Sequence, residues 1–515
     1  MKIERTKNAS RNMLFGIVLK LYQIIFPFFL RTVMVNSLGV EYLGLNSLFT
    51  SVLQVLNLAE LGVGSAMVFS MYKPIVEDDD LTICALMKLY KLYYRVIGCI
   101  ILVCGLAILP FISYLIKGYI PESVNIYYVY LLNLLATVFS YWLFAYRNSI
   151  LQAYQRVDVI SKVTIITDTF KYGLQLGALF YFKNYYFFIC AILISQLITN
   201  IITAILSKKM YPQYESKGYL PKEQVNMINN RIKDLFTSRL GGTIVNSSDT
   251  IVISAFLGLT TLAIYQNYYY IMSSVVLFIT VILSSCTAGI GNSLLTESKE
   301  KNYNDFNKFY LMNFWIVGIC VCCFLNVYQP FMIVWMGEDN LLSFGCVVLL
   351  CMYFYLFTTN QYLCLYKDAA GMWHEDRFRP LVSGIVNLSL NLILVNYIGI
   401  FAIILSTILS YAIVTLPWLI HNLFSVVFKM SPIGFLKKMA YNTVLVIIAA
   451  MSSFAVCIPF NRPTFIAVTL RLLLSVLLPS ILFYLTLKKS TEFSEAVDTF
   501  NRITHNKMRK FTNKL

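Results

Sequence analysis

The chain has 515 residues, of which 58% are hydrophobic and 13% are charged. That balance excludes a water-soluble domain of this size. Apolar runs of about 20 residues recur from end to end, so the composition predicts an all-α, polytopic membrane protein. A formal net charge of +16 would suit a nucleic-acid-binding protein, but the cations concentrate in alternate connections between apolar segments, which is typical of membrane topology.

Fourteen apolar segments are predicted to be transmembrane helices. They cover residues 12–36, 43–70, 87–115, 124–147, 159–182, 185–207, 234–257, 261–290, 309–335, 341–366, 378–398, 400–428, 438–460 and 464–487. The outer connections carry only Lys117, Lys183 and Arg462, so the positive-inside rule places both termini in the cytoplasm. Topology and contact with anionic lipid headgroups therefore explain the net charge, and no nucleic-acid partner is expected.

A polar connection divides the chain after six spans. Residues 208–230 contain Pro212, Gly218 and Pro221 and are predicted to form a cytoplasmic loop. The predicted domains are two pseudo-symmetric six-helix lobes, residues 1–207 and 231–428, which are joined by the loop at 208–230. Two further helices follow at 429–487, and a tail at 488–515. Helical spacing of apolar residues in the tail predicts a short amphipathic helix at the inner membrane surface.

An internal repeat relates the two lobes. The outer turn after span 1 reads LGVEYLGL (Leu38–Leu45), and the outer turn after span 7 reads LGLTTLAI (Leu257–Ile264), 219 residues later. The same offset superimposes Lys20 on Arg239. Because an even number of spans separates the copies, they run in the same direction, and we expect an axis along the membrane normal to relate them.

Glycines mark a second part of the repeat. Spans 2 and 8 each end near a small-residue patch, LGVGSA (Leu61–Ala66) and AGIGNS (Ala288–Ser293). Such patches allow close packing or bending of membrane helices, and a proline inside a span kinks it. The predicted hinge residues are Pro27, Gly62, Gly64, Gly289 and Gly291.

Two cations lie too deep in their spans to reach water easily. Lys20 and Arg239 each lie about eight residues, or ~12 Å, past the cytoplasmic end of a span. A water-filled cavity between the lobes explains them best, and a cationic cavity implies an anionic substrate group such as phosphate or pyrophosphate. Arg31 shares a face of span 1 with Lys20, and it either joins this site or only anchors the outer end of the span.

Further polar residues inside the spans are candidates for gating or ion coupling. They are Glu60, Asp168, Lys171, Asn246 and Asp249. Three of them have simpler interpretations. Asp168 and Lys171, three residues apart, can neutralise each other within span 5, and Glu60 can neutralise Lys20.

Motifs of cofactor-dependent chemistry were not found. Cys320, Cys322 and Cys323 lie close together, but no His or acidic residue accompanies them, so no metal site is predicted. A phosphate-binding loop of the Walker type does not occur, so ATP is not expected as the energy source. The sequence predicts no catalytic residues and no cofactor.

Three segments carry a resemblance to a known family. They are the LG-x-x-x-LG turn after span 1, the segment ELGVGSA (Glu60–Ala66), and KDAAGMWHEDRFRPLVSGIVNLSLNLILV (Lys367–Val395). Together with fourteen spans in a six-six-two arrangement, they resemble the Wzx-type polysaccharide flippases of the multidrug/oligosaccharidyl-lipid/polysaccharide (MOP) exporter superfamily. The resemblance covers essentially the whole chain.

The resemblance implies a MATE-like fold and a function. A protein of this type moves an undecaprenyl-pyrophosphate-linked oligosaccharide across the bacterial cytoplasmic membrane, for capsule, O-antigen or another surface polysaccharide. A polysaccharide polymerase is an implied partner, and H⁺ or Na⁺ an implied coupling ion. The family's cationic central cavity corresponds by position to Lys20, Arg31 and Arg239.

Three alternatives remain open. A cation-coupled multidrug exporter of the same superfamily would need acidic cavity residues, since its cargo is cationic. A lipid II flippase is closer, and the sequence alone separates it poorly from a polysaccharide flippase. A membrane glycosyltransferase or polymerase would need carboxylates or a sizeable catalytic loop on the outer face. The acids predicted on that face are scattered over short loops, at Glu41, Glu122, Glu338 and Asp339.

Overall fold

The computed structural model describes residues 5–460 and 464–503, apart from the side chains of residues 5–7, 9–10, 237–239, 246 and 500–503. Regular structure in this part of the chain is entirely helical. The chain divides into two compact units, Met1–Gln266 and Asn267–Leu515. Helix α10 (Leu259–Thr296) crosses the boundary between them.

The first unit contains nine α-helices before α10. They are α1 (Arg5–Ser37), α2 (Val40–Leu56), α3 (Val63–Val76), α4 (Asp80–Ile108), α5 (Ile126–Trp142), α6 (Asn148–Ala153), α7 (Val157–Gly177), α8 (Tyr185–Met210) and α9 (Lys222–Leu257). Short 3₁₀ segments follow α2, α4 and α5, and a π-helical turn follows α7. These segments are Asn57–Glu60, Leu109–Leu115, Ala145–Arg147 and Ala178–Phe182.

The second unit continues with eight α-helices. They are α11 (Lys299–Met336), α12 (Phe344–Ala369), α13 (Arg379–Ile398), α14 (Ile400–Leu409), α15 (Leu416–Asn422), α16 (Ile433–Cys457), α17 (Phe465–Leu487) and α18 (Thr491–Ile503). Two π-helical turns, Ser410–Thr415 and Leu423–Phe428, make α14 and α15 parts of one long helical run.

Each of the fourteen predicted spans coincides with helical structure, and the chain is a multi-pass integral membrane protein. Within the described residues, twelve helical runs are long and apolar enough to cross a membrane, or thirteen if α5 and the helix bent from it by 47° form one span. The predicted fifth span, α7, is not among them because charged residues interrupt it. The count of fourteen therefore stays a prediction.

The second predicted span, 43–70, lies within one apolar run, Val40–Val76, whose α-helical structure is interrupted between α2 and α3. Between α2 and α3 the chain turns through Gly62, whose φ of 90° is a left-handed conformation that favours glycine. A Cβ atom on Gly62 would lie only 2.6 Å from the Cβ atom of Leu235 in α9. The break therefore brings α9 against the backbone of span 2.

The two turns of the internal repeat have matching backbone conformations. Gly39 has φ 122° and ψ 163°, and Gly258 has φ 92° and ψ 172°. The next helix begins directly after each glycine, α2 at Val40 and α10 at Leu259. The offset of 219 residues read from the sequence therefore also superimposes two turns that only glycine adopts without strain.

Equivalent residues of the two turns meet each other within the first unit. Thr260 donates a hydrogen bond to Glu41 at 3.2 Å, and these two positions are 219 residues apart. Beside this contact, a Cβ atom on Gly44 would overlap the carbonyl oxygen of Leu259. Contact between equivalent positions is compatible with the predicted pseudo-twofold axis, and the axis itself stays a prediction.

The second unit has an aromatic core. The ring of Phe306 in α11 lies 4.9 Å from that of Tyr366 and 5.0 Å from those of Phe428 and Phe435. The hydroxyl of Tyr362 donates to the backbone carbonyl of Phe306 at 2.5 Å. Because lipid tails are as apolar as the side chains, close packing of this kind is what holds membrane helices together.

The predicted amphipathic tail helix is α18. Its Phe493 ring lies 5.7 Å from Trp315 in α11 and 5.9 Å from Tyr484 in α17. Lys438 of α16 donates to the Glu492 carboxylate at 2.6 Å. Part of the apolar face of α18 is therefore covered by the helices of the second unit.

We predict that Gly44→Ala lowers the stability of the protein by about 1–3 kcal/mol, because the new Cβ atom would force α2 away from the backbone of Leu259. Thermal unfolding of the purified protein in detergent measures the change. Gly16→Ala in α1 is the matched control, since a Cβ atom there has no neighbour within 4 Å among the described residues. A Gly44→Ala protein as stable as the control would contradict the close contact.

Candidate functional site

Lys20 lies on the side of α1 that does not pack against α7. Residues of α1 that follow Lys20 contact α7. Tyr22 shares a hydrogen bond with Thr169 at 2.6 Å, Gln23 donates to Asp168 at 3.2 Å, and the Phe26 ring stacks on Tyr172 at 5.4 Å. At 100° per residue, Lys20 is rotated roughly 110° from the middle of this contact face. The rest of the chain leaves the Lys20 side chain exposed.

Lys20 makes no ion pair with any side chain in the described part of the structure. The alternative in which Glu60 neutralises Lys20 is therefore not seen. Arg239 and Asn246, both in α9, lie outside the residues whose side chains the structure describes. Arg31 is half-buried near the outer end of α1.

Glu60 belongs to a hydrogen-bonded cluster at the break in span 2. Tyr94 donates to the Glu60 carboxylate at 3.1 Å, and Tyr90 donates to the Tyr94 hydroxyl at 2.5 Å. Tyr141 donates to Asn57 at 3.3 Å. We refer to these five residues as the Glu60 cluster. A carboxylate at the end of a chain of phenols can hold a proton or a cation at a point where the helix is already interrupted.

The tyrosines of the Glu60 cluster were not predicted as site residues. Tyr90 and Tyr94 are four residues apart, so both project from one face of α4, and both are buried. Two tyrosines at helical spacing within an apolar span were the available signal in the sequence. What the sequence could not supply is that this face of α4 lies opposite Glu60, which is 34 residues from Tyr94.

Asp168 and Lys171 form the predicted intrahelical pair. Lys171 Nζ lies 2.6 Å from Asp168 Oδ1, and the second carboxylate oxygen accepts the hydrogen bond from Gln23. This arrangement favours the simpler interpretation, in which the pair allows α7 to enter the membrane and joins it to α1. Asp249 is buried on α9, next to Thr250, which accepts a hydrogen bond from Gln266 at 2.9 Å.

The predicted hinge residues have different surroundings. Pro27 lies inside α1, which continues on both sides of it. A Cβ atom on Gly64 would lie 3.1 Å from the Tyr90 hydroxyl and 3.3 Å from Glu60, so this glycine belongs to the Glu60 cluster's packing. Gly289 has no described neighbour within 4 Å, and Gly291 lies against Ala369. Helix α10 runs without a break through both.

The third segment of the family resemblance forms a buried ion-pair network. Arg379 donates to both oxygens of Asp376, at 2.5 and 2.8 Å, and both side chains are buried. Lys367 lies 3.5 Å from Asp376, and its ammonium group lies 4.7 Å from the centre of the Trp373 ring. These contacts fold the connection between α12 and α13 onto the helix ends.

Arg471 has hydrogen-bond partners that the sequence did not predict. It donates to the backbone carbonyls of Phe460 and Asn326, at 3.0 Å each. The Asn326 amide in turn donates to Ser453 at 3.0 Å and to Ser475 at 2.9 Å. These bonds join α16 and α17, the two helices after the predicted lobes, to α11.

The profile of a protein family described as polysaccharide biosynthesis protein matches residues 9–287, more than half of the chain. The chain belongs to this family. The match covers α1 to α9 and most of α10, and so includes Lys20, the Glu60 cluster and both repeat turns. A search of curated protein sequences found no match.

Solved structures show that this family member shares its fold with MOP superfamily transporters. A lipid II flippase, MurJ, in an inward closed conformation has a TM-score of 0.67 at 15% identity, covering 92% of this chain and 99% of MurJ. A multidrug resistance MATE family transporter in an inward-facing conformation has a TM-score of 0.62 at 14% identity, covering 82% and 99%. The predicted all-α, MATE-like fold is confirmed.

A third structure comes from Pyrococcus furiosus. It is a MOP superfamily transporter whose binding pocket is described as having reverse polarity. Its TM-score is 0.51 at 13% identity, with 82% of this chain and 97% of that chain covered. At such identities the likeness concerns the fold, and the chemistry of the site must be argued from the residues of this chain.

We predict that Tyr94→Phe destabilises the protein by about 1.5–3 kcal/mol, because a hydrogen bond to the Glu60 carboxylate is lost and Tyr90 loses its acceptor. Chemical denaturation of the detergent-solubilised protein measures the loss. Tyr128→Phe is the control, since Tyr128 is exposed on α5. Equal stability of the two variants would show that the Glu60 cluster is not formed.

We predict that Asp376→Asn costs about 3–5 kcal/mol, since it leaves Arg379 buried without its carboxylate, whereas Lys367 keeps its ion pair with Asp368 at 2.8 Å. Glu77→Gln is the matched control. It breaks an exposed pair with Lys73, in which the side chains are 83% and 55% exposed, so a loss of no more than about 1 kcal/mol is expected. The same unfolding measurement separates the two, and similar losses would contradict a buried network.

Proposed function

We propose that this protein translocates undecaprenyl-pyrophosphate-linked oligosaccharide repeat units across the bacterial cytoplasmic membrane by alternating access, for the biosynthesis of a surface polysaccharide such as capsule or O-antigen. The observation that carries the proposal is Lys20, a cation in the first membrane helix that turns away from the α7 interface. Membership of the polysaccharide biosynthesis family and the flippase-type fold support it.

The position of Lys20 requires water or an anion nearby. A lysine facing lipid at this depth would cost at least ~2.5–3.5 kcal/mol, and no described carboxylate compensates it. Two neighbouring polar residues of α1 are instead satisfied by α7, since Tyr22 bonds to Thr169 and Gln23 to Asp168. Lys20 therefore fits a hydrated substrate cavity, with Arg239 as its repeat-related counterpart and a pyrophosphate between them.

The substrate's three parts have different requirements. The pyrophosphate is held by Lys20 and Arg239 when the cavity is open to the cytoplasm, and the sugars occupy the hydrated space. The polyprenyl tail stays in lipid through a lateral gap. Arg31, near the outer end of α1, receives the phosphates as the cavity opens outward, or anchors that helix end, and Pro27 between the two cations is the proposed hinge.

The Glu60 cluster is proposed as the coupling element. Its carboxylate accepts a hydrogen bond from Tyr94 and lies beside Gly64, which follows two residues after the Gly62 turn that interrupts span 2. Uptake of H⁺ or Na⁺ at Glu60 would weaken this bond where helix α3 can change its angle to α2. Asp249 in α9 is the second proposed position for such an ion, whereas Asp168 is assigned to the α1–α7 contact.

A lipid II flippase is the second candidate function. Its support is the fold shared with MurJ, which covers 92% of this chain and 99% of MurJ. Lipid II and the proposed substrate share the undecaprenyl pyrophosphate group, so Lys20 suits both. A cationic drug suits Lys20 poorly. An outer-face enzyme is disfavoured because Glu41, one of few predicted outer acids, is engaged by Thr260.

We predict that the double variant Lys20→Gln, Arg239→Gln lowers the flipping rate at least about 100-fold, because each charge-assisted bond to phosphate contributes about 1.5–3 kcal/mol. The measurement uses vesicles with a fluorescent undecaprenyl-pyrophosphate-linked oligosaccharide, whose exposure in the outer leaflet is followed by an added quencher. Parallel vesicles with fluorescent lipid II decide between the two candidate functions.

Lys117→Gln, Lys183→Gln is the matched control, since it removes two cations from the predicted outer loops. The control should flip at the rate of the unmodified protein. A double variant at positions 20 and 239 that also flips at that rate would disprove the cationic cavity. Faster transport of lipid II than of the oligosaccharide would favour the second candidate.

A further inference from the structure

Helix α4 carries a row of cations at its cytoplasmic end. Lys88, Lys91 and Arg95 are spaced by three and four residues, so they share one face of the helix. None of these three residues has a role in the proposed transport site. Tyr90 and Tyr94, which reach Glu60, occupy a different face of the same helix.

The length of this helical run determines the depth of the cations. Residues Asp80–Leu115 form one run of 36 residues, whereas about 20 helical residues cross the ~30 Å hydrocarbon layer. We measured the length of the run from Leu115 toward Asp80, with rises of about 2.0 Å per residue in the 3₁₀ segment and 1.5 Å in α4. On this scale, the hydrocarbon layer ends just before Arg95. In the predicted orientation, Arg95 therefore lies at the level of the inner-leaflet headgroups. Lys91 and Lys88 lie one and two turns farther toward the cytoplasm, from where their long side chains can reach back to that level.

A cavity of about 330 Å³ opens on this cationic face. One wall is α4, the second is the connection between α8 and α9, and the third is the first turn of α9. Its lining includes Lys88, Lys91, Arg95, Leu92, Tyr219 and Val225. All of these residues belong to the first unit.

The loop wall is held in place by its own packing. Tyr211 stacks on Tyr154 with ring centres 4.5 Å apart, and the hydroxyls of Tyr154 and Tyr214 share a hydrogen bond. Burial raises the pKa of the Tyr211 phenol to about 12, so it stays neutral at physiological pH. At the cavity mouth, Lys88 Nζ lies 3.4 Å from the centre of the Tyr219 ring.

The cavity is positively charged and has an apolar side. Its described lining includes three cations and no carboxylate. Glu215, in the adjacent groove, is engaged by Lys217 in an ion pair. On the side toward the hydrocarbon layer, Leu92 and Val96 are exposed. This combination matches an amphiphile with an anionic head and acyl chains.

We propose that this cavity binds the phosphate headgroup of an anionic phospholipid from the inner leaflet. Lys88, Lys91 and Arg95 contact the phosphodiester oxygens, and the acyl chains run along Leu92 and Val96. Basic pockets at the cytoplasmic ends of membrane helices have the chemistry for such headgroups. A bound lipid would join α4 to the connection that precedes α9, and so to the helix that packs against Gly62.

The test compares the unmodified full-length protein with the triple variant Lys88→Gln, Lys91→Gln, Arg95→Gln. Each protein is reconstituted in nanodiscs of phosphatidylcholine with increasing phosphatidylglycerol, and the lipid retained after extraction is counted by native mass spectrometry. We expect the unmodified protein to retain one phosphatidylglycerol that the variant binds on the order of 100-fold more weakly.

The matched control is Lys429→Gln, Lys437→Gln, Lys489→Gln, which removes three exposed lysines from other predicted cytoplasmic positions. Retention by the control should equal that of the unmodified protein. Equal loss in both triple variants, or equal retention of phosphatidylcholine, would overturn the proposal. Displacement of the lipid by low concentrations of inorganic pyrophosphate or undecaprenyl phosphate would also overturn it, since the cavity would then prefer another phosphate source.

Discussion

A charged or polar side chain inside a bilayer must find a partner or water, and this requirement organises both units of the protein. Asp168 finds Lys171 and Gln23, and so joins α7 to α1. Arg471 finds two backbone carbonyls, and so joins the last helices to α11. In each case a polar residue that is unfavourable in lipid alone becomes the link between two helices.

Lys20 differs from these structural residues because no described side chain pairs with it. The same physical requirement then implies that Lys20 faces a hydrated space and an anionic ligand. The Glu60 cluster is an intermediate case, since its carboxylate is satisfied by Tyr94 but lies where span 2 is already broken. The proposed transport function depends on this contrast between residues that hold helices together and residues left for the substrate.

Much of the fold followed from elementary patterns. Apolar segments of about 20 residues predicted the helices, and the LG turns predicted a repeat whose glycines, Gly39 and Gly258, have matching left-handed φ values. Long-range partners were not predictable. The contact of Tyr94 with Glu60 and of Arg471 with Asn326 connects helices far apart in sequence, and no local pattern indicates which helix faces which.

The sequence by itself determined that this is a polytopic α-helical membrane protein with an internal repeat and cations within its apolar spans, because hydropathy, charge bias and glycine turns are local properties. Only the tertiary structure decided which polar residues are structural. Packing places Arg379 on Asp376, breaks span 2 at Gly62 against α9, and gathers three cations of α4 around a cavity. These arrangements depend on which helices are neighbours, and the composition and residue spacing of a sequence do not indicate this.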